Sequence, residues 1–325
     1  MAKREVVLGI DVGGTNTAYG FVDKNGSCIM ESGVPTKAQE PAENLFERLF
    51  AKVNDSFAGF SKEYDWVGVG IGAPNANYYK GTVELPPNLN WGTVNVLDIV
   101  KKYSFLPSAI TNDANAAAIG EMKFGAARGM KDFIVITLGT GLGSGFVAGG
   151  ELIYGADGFA GEFGHITAFP NGRECGCGRK GCLETYASAS GIRRTVFELV
   201  CNTNTPSKLR GISFNDLTSK IIYEAAVEGD KLALEAFEFT GKILGERLAD
   251  AVTYTSPEAI ILFGGLAAAG DLILKPVQEH MEAHLLNIFK NKVKILPSGL
   301  TSGNTAVLGA AALIWNEIDN GKFKK

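Results

Sequence analysis

Two stretches of this chain share one layout. "GIDVGGTNTAYGFV" near the start and "VITLGTGLGSGFVA" near the middle each read as an apolar strand, a glycine-threonine turn and a second strand ending in Gly-Phe-Val. The match runs at an offset of 125 residues for Gly20 and Gly145, and of 126 for Gly13 and Gly139, so it slips by one residue. One such unit in each half implies a duplicated lobe, the alternative being a chance likeness between Gly-rich hairpins. The short apolar runs "EVVLGI", "WVGVGI", "DFIVITL" and "EAIILF" have the length of buried strands. Helical patterns lie between them. In "PAENLFERLFAKVNDSF", Leu45, Phe46, Leu49, Phe50, Val53 and Phe57 form one apolar face, with Pro41 suited to the first turn. "DKLALEAFEFTGKILGERLADAV", "LILKPVQEHMEAHLLNIF" and "NTAVLGAAALIWNEI" read as further helices. Strands alternating with helices predict an α/β fold.

The totals set bounds on function. At 325 residues, 46% of them hydrophobic, the chain is long enough for two lobes with large cores. The net charge of −4 provides no basic footprint for nucleic acid. No apolar run reaches the ~18 residues of a membrane span. "MAKREVVLGI" is too short and too soon polar for a secretory signal, so a cytoplasmic location is expected. Five cysteines, an odd number, argue against a disulfide framework.

A Gly-Gly-Thr turn after a buried strand suits an anion, because glycine lets backbone N–H groups approach closely. Gly13 and Gly14 bring that backbone, and Thr15 and Asn16 add side-chain donors. Asp11, just before the turn, is placed to hold Mg²⁺ through water. Gly139, Thr140 and Gly141 could hold the other side of the same phosphate chain, with Gly264 and Gly265 after the strand "EAIILF" as a third element. A hairpin, not a helix, follows "GTGLGSG", and no Walker motif is present. Asp113 opens an Ala-rich helix in "NDANAAAIGE". Two roles are open to it: capping that helix, or acting as a general base toward a hydroxyl that attacks a phosphoryl group.

The segment "FAGEFGHITAFPNGRECGCGRKGCLE" holds three of the cysteines and one of only three histidines. Cys175, Cys177 and Cys182 with His165 make a Cys₃His set, the closed ligand shell of a structural Zn²⁺; reduced thiols in a loop are the alternative. Glu162 and Glu184 are left to pair with vicinal hydroxyls of a polyol, since each oxygen accepts from a donor. His165 has two ring nitrogens, so one could face metal and the other substrate.

Taken together, "DVGGTNTAYG", "NDANAAAIGE", "LGTGLGSGFVAGGELIYGADGFAGEFGH", "CGCGRKGCLETYASASG" and "FGGLAAAG" resemble the ROK family of sugar kinases and repressors, and within it the bacterial glucokinases. The resemblance spans the chain and implies the actin-like ATPase fold, two ribonuclease-H-like lobes with a cleft between them. The smaller lobe is expected over 1–112 plus 305–325, and the larger over 113–304, with the zinc loop at 165–182. The family's catalytic base falls on Asp113. Its sugar contacts fall on Asn112, Glu162, His165 and Glu184, with Asn88 in "PPNLNW" a lesser one. Its zinc ligands fall on His165, Cys175, Cys177 and Cys182, and Gly264-Gly265 falls near the adenosine. The implied activity is ATP-dependent phosphorylation of a hexose, glucose first, with Mg²⁺ and a structural Zn²⁺ and with lobe closure excluding water. N-acetylglucosamine, N-acetylmannosamine, mannose, fructose and allose are alternatives, because "GAPNANYYKG" departs from the Gly-Pro-containing turn of many relatives. A non-catalytic sugar sensor is a further one. A DNA-binding repressor is not expected, because the first strand starts within about five residues of Met1. Sugar and ATP are the expected partners of a homodimer or homotetramer, with no nucleic acid and no membrane.

Overall fold

A computed structural model describes residues 3–300 and 303–323. The elements run β1 (Arg4–Val12), β2 (Asn16–Asp23), β3 (Cys28–Pro35), α1 (Ala42–Ala58), β4 (Tyr64–Gly72), β5 (Ala76–Asn77), β6 (Thr82–Glu84), β7 (Thr93–Asn95), α2 (Val96–Val100), β8 (Ser108–Thr111) and α3 (Asp113–Phe124). They continue with β9 (Phe133–Leu138), β10 (Leu142–Ala148), β11 (Glu151–Leu152), α4 (Ala189–Asn202), α5 (Ser219–Val227), α6 (Lys231–Thr255), β12 (Ala259–Phe263), α7 (Asp271–His284), β13 (Lys294–Pro297) and α8 (Thr305–Asp319). The helix expected to run through "LLNIF" stops at His284, where Leu285 turns extended.

Two units form. The first holds the chain up to Gly129, Leu152–Ala160 and the chain from Gly299 on; the second holds Met130–Glu151 and Gly161–Ser298. The expected division at 112/113 therefore falls inside the first unit: Ile119 of α3 is buried with Leu308, Ala311 and Trp315 of α8, which keeps α3 with that unit. The expected lobe ends at 1–2 and 324–325, and residues 301–302, lie outside the described residues.

The sheet of the first unit has the order β3-β2-β1-β4-β8. Side chains alternate across β1. Val6, Leu8 and Ile10 are buried with Leu45, Phe46, Leu49, Phe50 and Val53 of α1, and Val7 is buried with α8 on the other face. Glycine is required on the α8 face. A Cβ at Gly70 would lie 1.8 Å from the carbonyl oxygen of Ala310, so only glycine lets α8 come down onto β4.

The second unit repeats this plan with the order β11-β10-β9-β12-β13. In each unit an antiparallel hairpin (β1–β2, β9–β10) is followed by two parallel neighbours (β4 and β8, β12 and β13). The register locates the one-residue slip of the repeat. Gly13, Gly14, Thr15 and Asn16 separate the paired residues Val12 and Thr17, whereas Gly139, Thr140 and Gly141 separate Leu138 and Leu142. The first turn is one residue longer.

Candidate active site

Parallel strands that end at one sheet edge bring together residues far apart in sequence. Asp11 pairs with Gly72 on β4, and Gly72 pairs with Thr111 on β8. Strands lie about 4.8 Å apart, so Asp11 and Thr111 stand about 10 Å apart across one row. Asn112 and Asp113 follow directly. Burial, and then the charge of Asp113, raise the Asp11 carboxyl from 3.8 to about 6. Dense protein around Asp113 raises its carboxyl as well, against hydrogen bonds from Ala114 N, at 2.9 Å, and from its own backbone N–H. The Asp113 side chain is nevertheless open to water, so a ligand can reach it.

The helix cap is Asn112. Its Oδ1 accepts from Asn115 N at 2.7 Å, and Asp113 is the first helical residue. This frees the Asp113 carboxylate from the capping role that its position allowed.

Both glycine turns are braced from within. Gly13 N donates to Asn16 O and Gly139 N to Gly141 O, each at 3.1 Å. The donors left to meet an anion are therefore the N–H groups that follow, not those of Gly13 and Gly139. Thr36 Oγ1 donates to Gly13 O at 2.7 Å, so Thr17 Oγ1 must donate to Thr36 Oγ1, 2.8 Å away. Asn88 stands over this turn: a Cβ at Gly14 would be 3.0 Å from its own Cβ. The second turn rests on the start of α4, where Ala189 N donates to Gly139 O at 2.9 Å and Ser190 Oγ to Thr140 O at 2.6 Å. Gly264 lies beside it, with φ +102, and a Cβ added there would be only 2.8 Å from Leu138 O. Sequence motifs point to neither Thr36 nor Ser190. The signal available for the second is "ASASG", in which Ser188 caps α4 by accepting from Gly191 N.

The cysteine loop of the second unit closes into one cluster. Candidate ligand atoms of His165, Cys175, Cys177 and Cys182 all lie within 4.8 Å of one another. Cys177 Sγ and Cys182 Sγ are 3.7 Å apart, and Cys175 Sγ is 3.8 Å from His165 Nδ1. A tetrahedron with Zn–S bonds of about 2.3 Å has edges of about 3.8 Å, so the donor set fits Zn²⁺. Burial, with Glu184 nearby, pushes the Cys175 thiol up, so metal binding must displace that proton.

His165 turns its other nitrogen toward Glu162, with Nε2 4.0 Å from Glu162 Oε2. Glu184 joins the cluster to the second turn: Cys175 Sγ donates to its Oε1 at 3.0 Å, and Leu142 N donates to its Oε2 at 3.4 Å. A Cβ at Gly141 would meet that Oε2 at 2.5 Å, so glycine is needed where the carboxylate reaches the turn. Arg173, which no motif marks, ties the loop down. Its side chain, 8% exposed, donates to Thr185 O, Gly191 O and Glu198 and lies 4.3 Å over the Tyr186 ring. The described residues thus bring together Asp11, Gly13–Asn16, Asn88, Asn112 and Asp113 in the first unit. In the second they bring together Glu162, His165, Glu184, the three cysteines, Gly139–Gly141 and Gly264–Gly265.

The chain is similar to known proteins along most of its length. A glucokinase of Halalkalibacterium halodurans is 36% identical over 285 residues, 86% of each chain. A crystal structure of a ROK family glucokinase from Streptomyces griseus in complex with glucose and AMPPNP superposes with a TM-score of 0.79 at 36% identity, covering 95% of this chain and 98% of that one. A xylose repressor of Caldicellulosiruptor bescii is 29% identical over 96% of this chain and 78% of its own length. The fold is that of the actin-like ATPases shared by the ROK sugar kinases. The ROK family model matches residues 7–317, and the chain belongs to the ROK family.

Proposed function

We propose that this chain is an ATP-dependent sugar kinase that phosphorylates glucose at its 6-hydroxyl. The observation that carries the reading is the carboxylate of Asp113. It is open to water, raised in pKa, and released from helix capping by Asn112. A base of that kind orients a hydroxyl and takes its proton as the hydroxyl oxygen bonds to the γ-phosphorus and the bond to ADP breaks. The glucokinase relatives, and the glucose and AMPPNP bound by the Streptomyces griseus enzyme, support substrate and donor.

The residues divide the work. Asn112 keeps its amide nitrogen for a sugar hydroxyl, because its Oδ1 is spent on the cap. Glu162, Glu184 and the Nε2 side of His165 accept from or donate to neighbouring hydroxyls, and Asn88 lies at the first turn. N–H groups of the two glycine turns meet the phosphates, and Gly264-Gly265 pack toward the nucleoside. Asp11 is the residue to hold Mg²⁺, which neutralises phosphate charge when bound. A closed Cys₃His zinc site supplies no open position for chemistry and serves to fix His165 and Glu184.

The reading extends to a cytoplasmic homodimer or homotetramer. Among the described residues no helix is long and apolar enough to cross a membrane. The decisive experiment is ADP release from MgATP across glucose, N-acetylglucosamine, N-acetylmannosamine, mannose, fructose and allose. Highest kcat/KM on glucose is expected. No sugar-dependent ADP release from any of them would sink the kinase reading, and a clear preference for another hexose would sink the substrate assignment alone.

A further inference from the structure

Glu121 is a fully buried carboxyl with no part in the chemistry above. It lies on α3, eight positions beyond Asp113, which at 1.5 Å per residue puts it about 12 Å along the helix from any sugar hydroxyl at that base. Its Oε2 accepts from Ala126 N at 2.7 Å and from Gly299 N at 3.1 Å. Its backbone carbonyl accepts from Gly125 N and Ala127 N, each at 3.1 Å. One residue thus engages three successive N–H groups just after α3, and a fourth from a segment 178 positions away.

The placement of those partners gives the contact its meaning. The first long stretch of the first unit ends at Gly129 and its last stretch begins at Gly299, with Leu152–Ala160 between them also belonging to it. The end of the one stretch and the start of the other are therefore fastened to one carboxyl group. Two glycines make the approach possible: a Cβ at Gly125 would be 2.0 Å from Glu121 Oε2, and one at Gly299 would be 2.4 Å from Ala126 N. A hydrophobic side chain at 121 would take the acceptor away from both N–H groups, so the acid does more there than pack.

We propose that Glu121 is a positioning residue. It clamps the segment after α3 and the segment that begins at Gly299 onto the helix that carries Asp113, and so holds that helix, and with it the Asp113 carboxylate, in place. The kinetic half of this inference rests on the kinase reading. The clamp itself does not.

The test uses the full chain and two variants. Glu121→Gln keeps the shape and puts an amide, a weaker acceptor, in place of the carboxyl group that takes both hydrogen bonds. Gly299→Ala leaves the carboxyl intact and pushes the segments apart. Hydrogen–deuterium exchange is expected to show the amides of Ala126 and Gly299 protected in the wild type. In either variant their exchange should be at least tenfold faster while α8 stays protected. Unchanged protection at both amides overturns the clamp. In the same preparations, kcat for sugar phosphorylation should fall tenfold or more at an assay temperature well below each variant's Tm, with KM for ATP within threefold. A kcat within twofold of wild type in both overturns the positioning role. A wild-type protein inactive on every sugar sinks the kinase reading alone, and the exchange result still decides the clamp.

Discussion

Replacing Asp11 by asparagine should make the protein more stable and less active, and the gain should depend on pH. The Asp11 carboxyl sits at about 6 in the folded chain against an ordinary 3.8. A raised pKa means that the folded state favours the protonated form, so ionisation costs stability. That cost is absent below about pH 4, grows as pH rises through 6, and is complete above about pH 7. Roughly two pKa units at about 1.4 kcal/mol each set a ceiling of ~3 kcal/mol. Asp11 retains some solvent contact, so about 1–3 kcal/mol is the expected range. For a unit of this size each kcal/mol moves Tm by about 2–4 °C. Asp11→Asn should therefore melt several degrees higher than wild type at pH 8, and at nearly the same temperature at pH 4. Scanning calorimetry without nucleotide reads this directly. The charge of Asp113 is part of the cause, so the gain should shrink in an Asp113→Asn background. Turnover should collapse in the same variant if Asp11 is the residue that holds Mg²⁺, as proposed above. A lower Tm at pH 8, or an equal gain at both pH values, refutes the claim that a buried, repelled charge is stored at this site.

Asp113→Asn should leave sugar affinity within a few-fold of wild type and lower kcat by about 10²–10⁴, the usual worth of a general base; near-normal turnover in a coupled assay ends that assignment. Cys177→Ser, or removal of metal by a chelator, should raise KM for glucose and lower Tm together, although no cysteine need touch the sugar. Elemental analysis should find one zinc per chain, and a metal-free, fully folded protein with normal sugar affinity contradicts the staple. Zinc affinity should fall with decreasing pH, because thiol protons compete for the ligands. Thr36→Val removes the hydroxyl that braces Gly13 and leaves the buried Thr17 hydroxyl without that partner. It should cost about 1–3 kcal/mol of stability and raise KM for ATP more than KM for glucose. Equal effects on both constants would show that the first turn does not act on the nucleotide.

Much of the fold is legible in the sequence because its signals are local. Apolar runs of strand length, an amphipathic α1 and a repeated Gly-Thr hairpin all fall within short windows of sequence. The slip of one residue in the repeat is visible in the letters, but its location is not: only the register shows that the extra residue is in the first turn. The boundary of the first unit is hidden for a similar reason. Ala-rich α3 has little amphipathic pattern of its own, and its allegiance is set by burial against α8, nearly two hundred residues later.

The candidate site divides in the same way. Residue types and spacing pointed to the Cys₃His set and the two glycine turns, because a metal knot or a phosphate turn is built from neighbours in the chain, while for Asp113 they left cap and base both open and only the family resemblance chose the base. Tertiary structure decided what those residues do to one another. Parallel strands ending at a common edge place Asp11 under the charge of Asp113. The fold of the zinc loop carries Glu184 from the cysteine cluster to the second turn. Packing of α3 gave the cap to Asn112 and left Asp113 available. Glu121 shows the limit most clearly: in sequence it is one acid on a helix, and its partner Gly299 lies 178 positions away. Chemistry that depends on a residue's type and near neighbours is written in the sequence, whereas electrostatics and hydrogen bonding depend on distances through space, which folding alone sets.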